Sequence, residues 1–113
     1  MLGGVAVVLD LGPATKGHAL ILPKEHAGNL YELSDDSASK VMVLAKNMAK
    51  TMKEKLNCAG LNLVQNNGET AGQTVMHFHM HVIPRYEEDN QKIGWTPQQV
   101  TQEVLCFCQF SIL

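Results

Sequence analysis

Arginine is almost absent from this chain. Of its nine basic residues only Arg85 is an arginine, which excludes a guanidinium clamp of the kind that grips phosphate bidentately. Cysteine is nearly as scarce. Cys58, Cys106 and Cys108 form an odd set without the spacing of a disulfide framework, which points to a reducing compartment. Neither sign of charge dominates: the formal balance is -2 with histidine neutral. The clustered basic surface needed for nucleic acid or anionic membrane is therefore missing. No apolar run approaches the roughly 18 residues of a membrane span. The opening MLGGVAVVLD has no basic leader and is cut short by Asp10, so it reads as a buried strand and not as a signal peptide. A cytoplasmic protein is expected. With 113 residues, 45% of them hydrophobic and 18% charged, the chain has material for one core, and residues 1–113 are expected to form a single domain.

Two short apolar runs, Val5 to Asp10 and His18 to Pro23, flank the turn-rich LGPATKG and pair most simply as an antiparallel hairpin. From Ser34 to Asn57 the pattern is helical. Ser34 is a natural N-cap, Asp35 and Asp36 suit the first turn, and Lys53 and Lys55 suit the last. Ala38, Val41, Leu44, Ala45, Met48, Met52 and Leu56 recur at spacings of three and four, and their methionines are expected to fill core gaps. LNLVQ, Leu61 to Gln65, reads as a third strand and Thr74 to Pro84 as a fourth. TPQQVTQEVLCFCQF opens like a helix, with Thr96 as cap and Pro97 in the first turn. The expected fold is α+β: an antiparallel sheet with one long helix packed on it and a C-terminal helix.

The fourth strand carries His77, His79 and His81 in the block QTVMHFHMHVIPR, residues 73–85. Alternation sends Val75, the three histidines and Ile83 to one face. Met76, Phe78, Met80 and Val82 go to the other. The apolar set is expected under the long helix, which pins the register, because a slip by one residue would bury three imidazoles. Three chemistries accommodate such a row: ordinary structural histidines, a metal site built on His-x-His, or a phosphate-handling site with a histidine nucleophile. The metal reading lacks an Asp, Glu or Cys at the usual spacing.

The surrounding blocks point to the third. His-Phe-His-Met-His-Val-Ile resembles the His-φ-His-φ-His-φ-φ signature of the histidine triad superfamily, φ being apolar. LDLGPATKGHALILPKEH and LNLVQNNGETAGQTV resemble that family's two preceding blocks, so the likeness runs from about residue 5 to 86. It implies His79 as the nucleophile that attacks the α-phosphorus. It gives the backbone carbonyl of His77 the task of orienting His79, and His81 that of contacting the phosphate and helping to carry its charge. His18 is implied as a fourth histidine beside the site. The nucleotide-binding set it implies is Asp10 on the ribose hydroxyls, with Asn66, Gly72, Gln73 and Thr74 joining His79 and His81 around the phosphate. Gln73 and Thr74 are expected to hold it by side chain and backbone N–H.

Many bacterial relatives carry a leading Cys-x-x-Cys segment whose cysteines bind zinc together with histidines at the positions of His26 and His77. That segment is not in this sequence, and Cys106 and Cys108 do not match it. No structural metal and no cofactor are expected, and His26 is read as a surface or helix-start residue. The apolar tail, residues 106–113, matches nothing assignable. The resemblance implies a hydrolase or transferase acting at the α-phosphate of a nucleoside phosphoramidate or dinucleoside polyphosphate. It also implies a purine nucleotide or nucleoside phosphoramidate as ligand, a homodimer, and no nucleic-acid or membrane partner. The alternative is a nucleotide-binding protein with little turnover.

Overall fold

The computed structural model describes residues 4–104. The expected hairpin is there: β1 (Val5–Leu9) pairs antiparallel with β2 (Ala19–Pro23). The long helix α1 (Asp35–Leu56) follows, then β3 (Gly60–Val64) and β4 (Met80–Arg85). The sheet order is β1-β2-β4-β3 and every neighbouring pair is antiparallel. The α+β reading of a sheet covered by one long helix therefore holds.

Helix α1 begins where its side chains can satisfy its free amides. Ser34 Oγ accepts from the Ser37 amide at 3.1 Å. Glu25, from the segment after β2, takes the Ser34 amide at 2.8 Å and the hydroxyls of Ser34 and Ser37 at 2.5 and 2.9 Å. These bonds hold the Glu25 carboxyl below the usual carboxylate range, and a negative group at a helix N-terminus is favourable in its own right. The helix ends at Asn57 in the left-handed conformation (φ 53).

The helix lays Val41 and Ala45 against Val5, Ile21, Phe78 and Val82. Leu44, Met48 and Met52 pack around this cluster, so these two methionines fill core as their spacing implied. β1 departs from expectation. Only Val5 is buried, while Val7, Val8 and Leu9 are 42, 43 and 70% exposed. The cause is position: among the described residues β1 is a sheet edge with a neighbour on one side only.

The histidine strand is also shorter than its alternation suggests, starting at Met80 and not at Thr74. On the β2 side pairing stops at Ile21–Met80, two residues before Pro23, which has no N–H to offer a ladder. Upstream the chain turns away: Phe78 donates its amide to the Ala27 carbonyl at 2.9 Å. Met76 is consequently 62% exposed, not under the helix, and Ile83, expected on the open face, is buried. Pro84 lies within β4, paired with Leu61. Its carbonyl is taken at 2.5 Å by the buried hydroxyl of Thr15, from the β1–β2 loop.

The C-terminal helix begins later than read. Residues 96–101 are not helical; helical structure starts at 102, where Thr101, and not Thr96, caps by accepting the Val104 amide at 3.3 Å. The expectations for residues 106–113 lie outside the described residues. Among the described residues no helix is long and apolar enough to cross a membrane.

Phe78 is 1% exposed at the centre of this core. Phe78→Ala is expected to lower unfolding free energy by about 3–5 kcal/mol, measured by urea denaturation.

Candidate functional site

The β2–β4 pairing sets Leu20 opposite His81, which puts His18, just before β2, within reach of the histidine strand. His18 Nε2 lies 2.9 Å from His81 Nδ1. His79 follows, its ring 5.2 Å from that of His81. His77 stands apart from this pair: its ring Nε2 is 3.2 Å from the Pro23 carbonyl, and its backbone carbonyl lies 2.8 Å from His79 Nδ1. The carbonyl contact implied for His77 is thus present. The exposed His26 ring lies 6.5 Å from that of His77.

The hydrogen-bond partners assign the protons. The backbone amide of Ala14 donates to His18 Nδ1 at 2.9 Å, and an amide can only donate, so this nitrogen carries a lone pair. In the neutral ring the proton then sits on Nε2 and is given to His81 Nδ1. His81 in turn has its proton on Nε2. His79 has the opposite arrangement, because a carbonyl can only accept. Its Nδ1 holds the proton and Nε2 presents the lone pair. With both rings neutral, the two neighbours therefore offer complementary groups, an N–H donor from His81 and a lone pair from His79.

Burial lowers the His81 pKa below the usual imidazole range. The neighbouring His79 and His18 push in the same direction, and Asp10 opposes them. His81 is therefore a neutral donor at neutral pH in the unliganded protein. Its Nε2–H is the group this ring can offer to an acceptor.

The resemblance implies Asp10 as a ribose ligand. In the structure one of its oxygens accepts the Gly12 amide at 2.8 Å. The other lies 3.5 Å from His18 Nε2 and 3.8 Å from His81 Nδ1. Local spacing had shown no carboxylate beside the histidines; the hairpin supplies one. Asp10, His18 and His81 have ligand atoms close enough to surround a cation. Their protons do not suit one, however. His18 Nε2 carries the hydrogen in the gap, and moving it to Nδ1 would set two N–H groups against each other at Ala14.

Gln73 lies inside the loop that precedes the histidines. It is 3% exposed, and its side-chain amide donates to the carbonyls of Gly28 and Val75 at 2.7 and 3.0 Å. Its side-chain oxygen accepts from the Gly68 amide at 2.8 Å, and its own backbone amide goes to the Gly68 carbonyl at 3.0 Å. Both side-chain N–H groups are engaged in these bonds, so Gln73 braces the loop. Thr74 follows it as an exposed residue. Gly72 ends the short 3-10 turn Glu69–Ala71 with φ +99, and a Cβ there would sit 3.5 Å from the Asn66 side-chain nitrogen. The positive φ is what favours glycine here, and the contact places Asn66 beside the loop. A cleft of about 580 Å³ opens here, lined by Glu69, Gly72, Gln73, Thr74 and Met76.

Several contributors escaped sequence reading. Asn67 Oδ1 accepts the Leu30 amide at 2.7 Å and pairs with Gln65, tying the loop to the segment after β2. Ala14 acts through its backbone, which no side-chain pattern reveals. Thr15, seated between Ala14 and His18, could have been suspected only from its place in that turn.

A HIT domain model matches residues 2–88. The chain is 44% identical over 82 residues to Protein hit of Bacillus subtilis, covering 73% of this chain and 57% of that protein. It is 41% identical over 96 residues to the adenosine 5'-monophosphoramidase of Schizosaccharomyces pombe, covering 84% and 69%. The crystal structure of a HIT family protein from Bacillus anthracis superposes with a TM-score of 0.88 at 39% identity, covering 97% of this chain and 80% of that one. The chain spans only somewhat more than half the length of the first curated relatives, 57% and 55%.

Gln73→Ala would strand buried partners on three sides, and is expected to lower stability by about 1–3 kcal/mol, read from thermal unfolding. His81 predicts an acid-sensitive window. Its folded pKa lies below the unfolded value of about 6.5, so the unfolded chain binds the proton first. Stability is present above about pH 6.5 and falls as pH drops from there toward the folded pKa. A melting-temperature series across this range should show the fall, and His81→Gln should flatten it.

Proposed function

Because this chain belongs to the histidine triad family, we propose that it is a nucleotide hydrolase or transferase. It cleaves at the α-phosphate of a nucleoside phosphoramidate or dinucleoside polyphosphate through a nucleotidyl-histidine intermediate. One observation carries this reading: His79 Nδ1 faces the His77 carbonyl at 2.8 Å, which leaves Nε2 as the free nucleophile. The name of the fission-yeast relative favours an adenosine phosphoramidate as the first substrate to test.

In this mechanism His79 Nε2 attacks the α-phosphorus, and the bond to the amine or phosphate leaving group breaks. The leaving group departs with a proton taken from solvent. The Nε2–H of His81 donates to a phosphoryl oxygen, where negative charge must be stabilised. The His79 adduct keeps its Nδ1 proton on the His77 carbonyl, so the ring is cationic and a good leaving group. Water then adds to phosphorus, releases a proton and breaks the N–P bond. Nucleoside monophosphate leaves and His79 is neutral again.

The cleft beside the Gly72–Thr74 loop falls in the size range of about 300–1,000 Å³ usual for small-molecule sites and is the candidate place for the rest of the nucleotide. Asn66, Gly72, Gln73 and Thr74 remain the proposed phosphate-side residues, and Asp10 the ribose ligand. A homodimer working in the cytoplasm without a metal or cofactor belongs to the same reading.

Incubation with an adenosine phosphoramidate is expected to give a nucleotidyl adduct on His79, detected by mass spectrometry of a quenched digest. His79→Ala should lower turnover by on the order of a thousandfold or more. Full turnover by that variant would overturn the mechanism. Nucleotide binding with neither adduct nor product would favour a binding protein.

A further inference from the structure

Beyond the histidine strand, a second set of hydrogen bonds grips the loop that leads into His18. Tyr86 donates its hydroxyl to the Lys16 carbonyl at 2.7 Å, and Gln91 donates its side-chain amide to the Ala14 carbonyl at 3.0 Å. Gln91 is itself held. Its backbone amide donates to Asp89 Oδ1 at 3.0 Å, and its carbonyl accepts from Arg85 Nη2 at 2.6 Å. Arg85 grips Asp89 through two nitrogens at 2.8 and 3.0 Å and reaches Asn62 on β3 at 2.8 Å. The lone arginine of the chain is thus spent on this brace. Its guanidinium holds the Asp89 carboxyl far below the usual range.

Ala14 is the point where this brace meets the histidines. Its carbonyl is held by Gln91, and its own N–H is the group that makes His18 Nδ1 an acceptor. We infer that Gln91 is a positioning residue: by holding Ala14 it fixes which nitrogen of His18 carries the proton, and through His18 it sets the outward N–H of His81. The inference deepens the proposed phosphoryl-transfer reading and rests on it for its functional consequence, though not for its structural one. Asp10 is the competing device, since its carboxylate also favours a proton on His18 Nε2 from 3.5 Å.

The test compares Gln91→Glu, which matches the shape of glutamine but cannot donate, with Gln91→Lys, which restores a donor. Long-range proton–nitrogen correlation spectra of the 15N-labelled proteins, taken where the imidazoles are neutral, report each ring's protonated nitrogen directly. In the wild type and Gln91→Lys, His18 is expected to show a bare Nδ1 and a protonated Nε2. In Gln91→Glu both signals should move toward the average of the two tautomers. Turnover of adenosine phosphoramidate should fall about tenfold, the lower end for loss of a supporting hydrogen bond, in kcat and kcat/KM alike. An unchanged His18 tautomer in Gln91→Glu overturns the inference and assigns the proton to Asp10. A shifted tautomer with unchanged turnover overturns the positioning role, as does a lysine variant that behaves like the glutamate one. If the wild type forms no adduct at all, the functional reading fails, while the spectra still decide what Gln91 does to His18.

Discussion

Antiparallel pairing of β2 with β4 is the constraint from which the site follows. It is short, joining Ala19, Leu20 and Ile21 to Val82, His81 and Met80. Yet it brings together histidines that lie 63 residues apart in the chain. It is held from behind by apolar burial: Ile21 and Val82 are both fully enclosed under α1, each contributing about 1.5–3 kcal/mol. A slip by one residue would turn those side chains outward and carry the imidazoles into the core. The helix therefore fixes the chemistry without touching it.

Around that pairing, protons are fixed by groups that cannot change roles. A backbone amide only donates and a carbonyl only accepts. With Ala14 at one end and His77 at the other, the rings between have little choice. Side chains could give the same pattern, but they titrate and rotate. The Ala14 amide is in turn only as firm as its loop, which is why the bonds from Thr15, Tyr86 and Gln91 matter. Gln73 does comparable work on the opposite loop, closing the circuit between Gly28, Gly68 and Val75.

Much of this was legible beforehand, and the failures share a cause. The hairpin, the Ser34 cap and the core stripe of α1 are local patterns, and each appeared where expected. Alternation around His77 told faces correctly for Phe78 and Val82 but could not say where a ladder ends. That depends on Pro23 and Ala27, partners some 50 residues away. Exposure of Val7 to Leu9 likewise reflects their place at a sheet edge, which composition does not encode. Thr96 and Thr101 offer the same capping chemistry, and choosing between them needs the path of residues 90–100. The motif around Gln73 could not show that its side-chain amide also ties Gly28 to Val75. The family blocks located the histidines, whereas the protons on them became readable only from backbone partners.

Pro84 carries a last consequence. In an antiparallel strand a residue's N–H and C=O point the same way. Since the Pro84 carbonyl faces Thr15, its nitrogen faces the β1–β2 loop as well. An ordinary residue there would expose a free amide to that loop and invite it to zip onto β4 as further sheet. Proline offers no such rung. The loop that carries Asp10, Ala14 and Thr15 is thereby kept from becoming strand, and the sheet is given an end. What looks like a blemish in a central strand is a boundary marker: on one side the chain pairs, and on the other it is free to shape a site.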